Sequence, residues 1–164
     1  MRVVITGHRP KKLQGGYNWA SEENLRIMDW MTVQLTKIRE DYNESVISCT
    51  GMALGIDQMF AHKCEILGID YTAFVPCKFQ EKLWPKSSIR VYRKLLESAS
   101  DIVWTSNEPF DQLCMQKRNL AMRDWALKDR NHILLAVWDG SPGGTANMIK
   151  ACKKMNIIYY EGVK

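Results

Sequence analysis

At 164 residues the chain has the length of one domain, and its 46% hydrophobic and 25% charged composition excludes a disordered protein. Its 23 lysines and arginines outnumber 18 aspartates and glutamates, and the net charge of +5 favours an anionic partner without specifying it. Five cysteines (Cys49, Cys64, Cys77, Cys114, Cys152) are odd in number and form no CxxC pair, which excludes a disulfide framework or zinc ribbon and points to a reducing, cytoplasmic setting.

Arg2–Thr6 reads as a strand stopped by Gly7, and its apolar run is too short for a signal peptide. A long helix follows, capped near Ser21, with Leu25, Met28, Leu35, Ile38 and Tyr42 at helical spacing. Val46–Thr50 is a strand ending at Gly51, and Asp57–Leu67 is a helix with Gly68 as its stop. Tyr71–Val75 is a third strand, halted by Pro76. Ile89, Tyr92, Leu95, Leu96 and Ala99 mark the next helix, and Ile102–Thr105 the fourth strand. A helix over Met115–Lys128 leads to Ile133–Trp138, a continuous apolar run of the kind buried on both faces. A helix over Thr145–Met155 and a strand over Ile157–Tyr160 complete the chain. The alternation predicts a Rossmann-like three-layer α/β/α domain spanning residues 1–164, with a mostly parallel sheet. No stretch approaches the roughly 18 apolar residues of a membrane span, so no membrane partner is expected. The irregular segments His8–Ala20 and Pro76–Ser87 each follow a strand's C-terminal end, where open α/β sheets bind ligands.

Three strand ends carry glycine turns. In Gly7-His8-Arg9-Pro10-Lys11-Lys12, Arg9 lies directly beyond the strand, where a guanidinium can hold phosphate bidentately. Lys11 and Lys12 read as a solvated basic loop, and His8 as either a ligand contact or a polar loop residue. Thr50-Gly51-Met52-Ala53-Leu54-Gly55-Ile56-Asp57 has the layout of an anion-binding loop, with two glycines before a helix start. Asp57 there is either a helix N-cap or an acceptor for a ribose hydroxyl or amine. In Trp138-Asp139-Gly140-Ser141-Pro142-Gly143-Gly144-Thr145, the N–H groups of Gly143, Gly144 and Thr145 can cradle a phosphate at a helix start. Three such ends in one parallel sheet raise the joint expectation of a nucleotide-like ligand.

TGHRP, TGMALGID, Gln80-Glu81…Trp84-Pro85, Met115-Gln116-Lys117-Arg118-Asn119…Met122 and WDGSPGGTAN together resemble the YspA-like branch of the SLOG superfamily. That group includes the DNA-processing protein Smf/DprA and the LOG cytokinin-activating phosphoribohydrolases. The resemblance covers nearly the whole chain and implies a site for a nucleotide or nucleotide-derived ligand at the strand C-terminal ends. LOG enzymes pair an Arg, matched by Arg118, with a Glu after their phosphate loop. Met148 stands where that Glu is expected, and Asn119 replaces the basic residue after the Arg. Methionine can neither polarise a water nor stabilise an oxocarbenium-like centre.

The ligand-binding set expected is Gly7, His8, Arg9, Thr50, Gly51, Gly55, Asp57, Gln80, Trp84, Arg118, Asn119, Asp139, Gly143, Gly144 and Thr145. Trp84 sits in a Pro-flanked loop, where it either stacks on a base or packs beneath the loop. His8, His62 and His132 have no metal spacing, so neither a metal nor a cofactor is expected. The first functional expectation is sensing or sequestration of a phosphate-bearing small molecule such as an ADP-ribose-like one. The alternative is a LOG-type nucleoside-monophosphate phosphoribohydrolase with Arg118 as its catalytic residue. Nucleic acid is disfavoured, because the basic residues are scattered and no aromatic–basic platform is readable. A homo-oligomer through the exposed face of the long helix is a further expectation.

Overall fold

The computed structural model describes residues 1–42, 45–107 and 112–162. Among them, β1 (Arg2–Gly7), β2 (Ile47–Thr50), β3 (Tyr71–Val75), β4 (Asp101–Trp104), β5 (His132–Val137) and β6 (Asn156–Tyr159) form one sheet. Every pairing is parallel, in the order β4-β3-β2-β1-β5-β6. Five helices connect them: α1 (Glu22–Tyr42), α2 (Ile56–Leu67), α3 (Lys86–Ser98), α4 (Gln112–Ala126) and α5 (Gly144–Ala151).

Strand periodicity sorts the core into two layers. Val3, Ile5, Ile133, Leu135 and Val137 face α1, α2 and α3, whereas Val4 and Leu134 pack with Met122, Ala126 and Met148 of α4 and α5. Both faces of β1 and β5 are therefore covered, as their unbroken apolar runs require. The architecture is the expected Rossmann-like α/β/α sandwich, with element limits within a few residues of those read from periodicity. The largest difference is α5, which stops at Ala151 instead of Met155. The chain must reverse into β6 at Asn156, and it does so through a tight turn in which the Met155 N–H donates to the Cys152 carbonyl at 2.8 Å.

From β1 the chain winds outward through β2, β3 and β4, then returns to lay β5 against β1's other edge. The winding reverses between β1 and β5. Loops leaving these two strands diverge to opposite faces and leave a crevice between them, where parallel sheets place ligands. No described helix is long and apolar enough to cross a membrane.

Candidate functional site

A cavity of about 440 Å³ occupies this crevice, within the range of small-molecule sites. Four loops and helices build it. The end of β1 contributes Gly7, His8, Arg9, Lys11 and Lys12. Pro10 opens a single 3-10 turn over Pro10–Lys12 that brings the two lysines round to the rim. From α4 come Met115, Arg118, Asn119 and Met122, at i, i+3, i+4 and i+7 on one helix face. The loop into α5 adds Ser141, Pro142, Gly143, Gly144 and Thr145, with Met148 one turn further on. Ala53 and Asp57 close the fourth side.

Asp57 and Arg118 form a buried ion pair, with 3.0 Å between Asp57 Oδ2 and Arg118 Nη1 and exposures of only 5% and 8%. Asp57 is not the N-cap of α2; that position is Gly55. Its Oδ2 also accepts the Ala53 N–H at 3.3 Å, while Thr50 Oγ1 donates to the Asp57 carbonyl at 2.8 Å. Burial pushes the Asp57 carboxyl above the ordinary aspartate value, and the Arg118 guanidinium opposes that rise. Gly51 makes the approach of Arg118 feasible, because a Cβ at that position would lie 1.2 Å from Nη1. The guanidinium Nε is buried and has no hydrogen-bond partner among the described residues.

A second polar link joins the ends of β1 and β5. His8 is 4% exposed, and its Nε2 lies 2.8 Å from Asp139 Oδ1 and accepts the Asp139 N–H at 3.0 Å. Asp139 Oδ1 in turn accepts the Ser141 N–H at 2.8 Å, folding the turn that leads to the α5 start. Hydrogen bonds from the Ser141 hydroxyl and N–H hold the Asp139 carboxyl down at about 2. A depressed carboxylate stabilises the fold fully above its ordinary value of 3.8 and loses that contribution as pH falls toward about 2. An NMR titration should therefore show the Asp139 carboxyl and the Ser141 amide moving together near pH 2. A midpoint at the ordinary value would mean that the turn does not hold in solution.

Gly143 precedes α5 at φ 147° and ψ −162°, a backbone conformation that side-chained residues avoid. The first turn of α5, whose N–H groups have no acceptor within the helix, lines the cavity at Gly144 and Thr145, the latter 8% exposed. Asn119 Nδ2 lies 3.5 Å from the Gly144 carbonyl and ties α4 to the same turn.

Of the expected ligand residues, Gly7, His8, Arg9, Asp57, Arg118, Asn119, Gly143, Gly144 and Thr145 line the cavity together. Thr50, Gly51 and Gly55 stand behind it, and Asp139 orients its rim through His8 and Ser141. Gln80 and Trp84 do not line it. Gln80 Nε2 donates to the Tyr92 hydroxyl at 3.0 Å, and the Trp84 ring packs edge-on against Tyr92 at 5.2 Å, so both serve the packing of α3. Lys11 and Lys12, read from sequence as a solvated loop, are exposed yet line the cavity. Proline's tendency to start a helical turn was the available signal for them. Met115 and Met122 are recoverable from their helical spacing to Arg118. Met148 lies at the cavity wall with 1% exposure, so a side chain there does face the site. All five cysteines are buried. No cluster of metal-ligating side chains occurs among the described residues.

No family model matches the chain. Over 121 residues it is 31% identical to the SPbeta prophage-derived protein YoqJ of Bacillus subtilis (strain 168), an alignment covering 64% of this chain and 68% of YoqJ. The X-ray structure of TM1055 superposes with a TM-score of 0.58 at 14% identity, over 99% of this chain and 75% of the other, which is a likeness of fold. DNA processing protein A (DprA) from Streptococcus pneumoniae gives a weaker TM-score of 0.46 at 12% identity, covering 96% of this chain and 58% of DprA.

Proposed function

The chain belongs to the family of YoqJ, and from that premise and its cavity we propose that it binds a nucleotide or nucleotide-derived ligand, such as an ADP-ribose-like molecule, to sense or sequester it. The observation that carries this reading is the cavity at the sheet's reversal point, where the Gly143–Thr145 turn at the start of α5 lines a space of nucleotide size. Asp57 and Asn119 offer acceptors and donors for a ribose, and Met115 and Met122 offer an apolar wall for a base. Within the same reading the chain is a YspA-like member of the SLOG superfamily.

Calorimetric titration of the purified protein with a panel of nucleotides and ADP-ribose tests it. Saturable binding that is lost on substituting Gly143 is the expected result; no binding across the panel would sink the reading.

Phosphoribohydrolysis is the second reading, favoured by the presence of Arg118 and the phosphate turn in one cavity. Against it stands Met148, a side chain without acid–base chemistry at the position of the LOG glutamate. Incubation with nucleoside monophosphates is expected to release no free base. Base release that disappears in Arg118→Met would establish the enzyme.

A further inference from the structure

We propose that the cavity is built for a diphosphate, with one phosphate held by the start of α5 and the next by Arg9, Lys11 and Lys12. This rests on the nucleotide reading above and narrows it to ligands with two linked phosphates.

Charge placement carries the inference. Four cationic side chains line the cavity, Arg9, Lys11, Lys12 and Arg118, against one carboxylate, Asp57. The charge of that carboxylate is offset by Arg118, whose Nη1 lies 3.0 Å from Asp57 Oδ2 in a buried pair. Arg118 therefore brings no net charge to a ligand. Its buried Nε still leaves one N–H that no group among the described residues accepts, and a bound ligand or water can accept it. The uncompensated charge lies entirely within residues 9–12. Arg9, Lys11 and Lys12 form no ion pair among the described residues.

Geometry then joins the two anion-holding elements. Lys12 Nζ donates to Ser141 Oγ at 2.6 Å and lies 3.5 Å from the Pro142 carbonyl. The basic rim from β1 thus already touches the turn that opens α5. Neighbouring phosphates share a bridging oxygen, so one on Gly143–Thr145 sets the next beside Lys12. A terminal phosphate carries roughly −1.5 to −2 at neutral pH, which the α5 start and one cation can meet. A second, linked phosphate adds about one further negative charge, which the remaining cations among Arg9, Lys11 and Lys12 can meet.

Magnesium-free calorimetry with AMP and ADP at one ionic strength tests the assignment. Charge-assisted contacts to the added phosphate should make ADP bind about tenfold or more tightly than AMP. The double variant Lys11→Gln/Lys12→Gln should erase that difference by weakening ADP more than AMP, and the protein should stay folded because both lysines are exposed and their loss spares the core. Thr145→Val should weaken both ligands in parallel. Equal affinities of the unsubstituted protein for AMP and ADP would overturn the diphosphate assignment and leave the nucleotide reading intact. So would a lysine variant that loses AMP as severely as ADP. Failure of both nucleotides, and of ADP-ribose, to bind the unsubstituted protein would overturn the nucleotide reading itself.

Discussion

Replacing Asp57 by Asn should destabilise the protein by about 3–5 kcal/mol, the usual consequence of leaving a buried charge without its partner. The amide matches the carboxylate in shape, so the loss isolates charge from packing. Arg118 would remain 8% exposed, with Gly51 packed against its guanidinium and no other carboxylate lining the cavity. At about 2–4 °C per kcal/mol for a protein of this size, the melting temperature should fall by on the order of 10 °C. Removing the charge from both partners, as Asp57→Asn/Arg118→Met, should recover most of that loss, because a neutral pair carries no Born penalty. A single variant that melts with the unsubstituted protein would mean that the pair is hydrated.

Gly7→Ala should also act through the scaffold, costing about 1–3 kcal/mol, as overpacked cores do. Its added methyl would lie 2.4–2.6 Å from three side-chain atoms of Ile56, a residue with no exposed surface at the start of α2. Ile56 cannot move outward freely, since its N–H donates to the His8 carbonyl at 3.3 Å. The strain should therefore reach His8 and the β1–β5 link. Chemical denaturation measures the loss, and an unchanged midpoint would show that α2 shifts without cost.

Much of the fold was legible because strand and helix periods are local properties of the chain. Val3 and Ile5 against Val4, or Met115, Arg118, Asn119 and Met122 on one helix face, need only a residue count. The turn at Gly143–Thr145 was legible for a similar reason: glycine before a helix start is a backbone signature. Less legible were residues whose roles depend on distant partners. Trp84 and Gln80 occupy a loop of suitable length and place, but Tyr92 on α3 captures both. Lys11 and Lys12 looked like solvated charge because nothing in a linear reading reveals that Ser141 stands opposite them.

Composition favoured an anionic partner through an excess of five positive charges, and periodicity determined a parallel, three-layer arrangement with long loops at its strand ends. Only the tertiary structure decided which charges face the cavity. Arg118 was expected to contact ligand, and Asp57, 61 positions away in sequence, offsets its charge. The surplus at the cavity falls to Arg9, which the sequence offered as a phosphate contact, and to Lys11 and Lys12, which it offered as solvated. Pairing energies between charges depend on separation in space and on exclusion of water, and neither is encoded in distance along the chain.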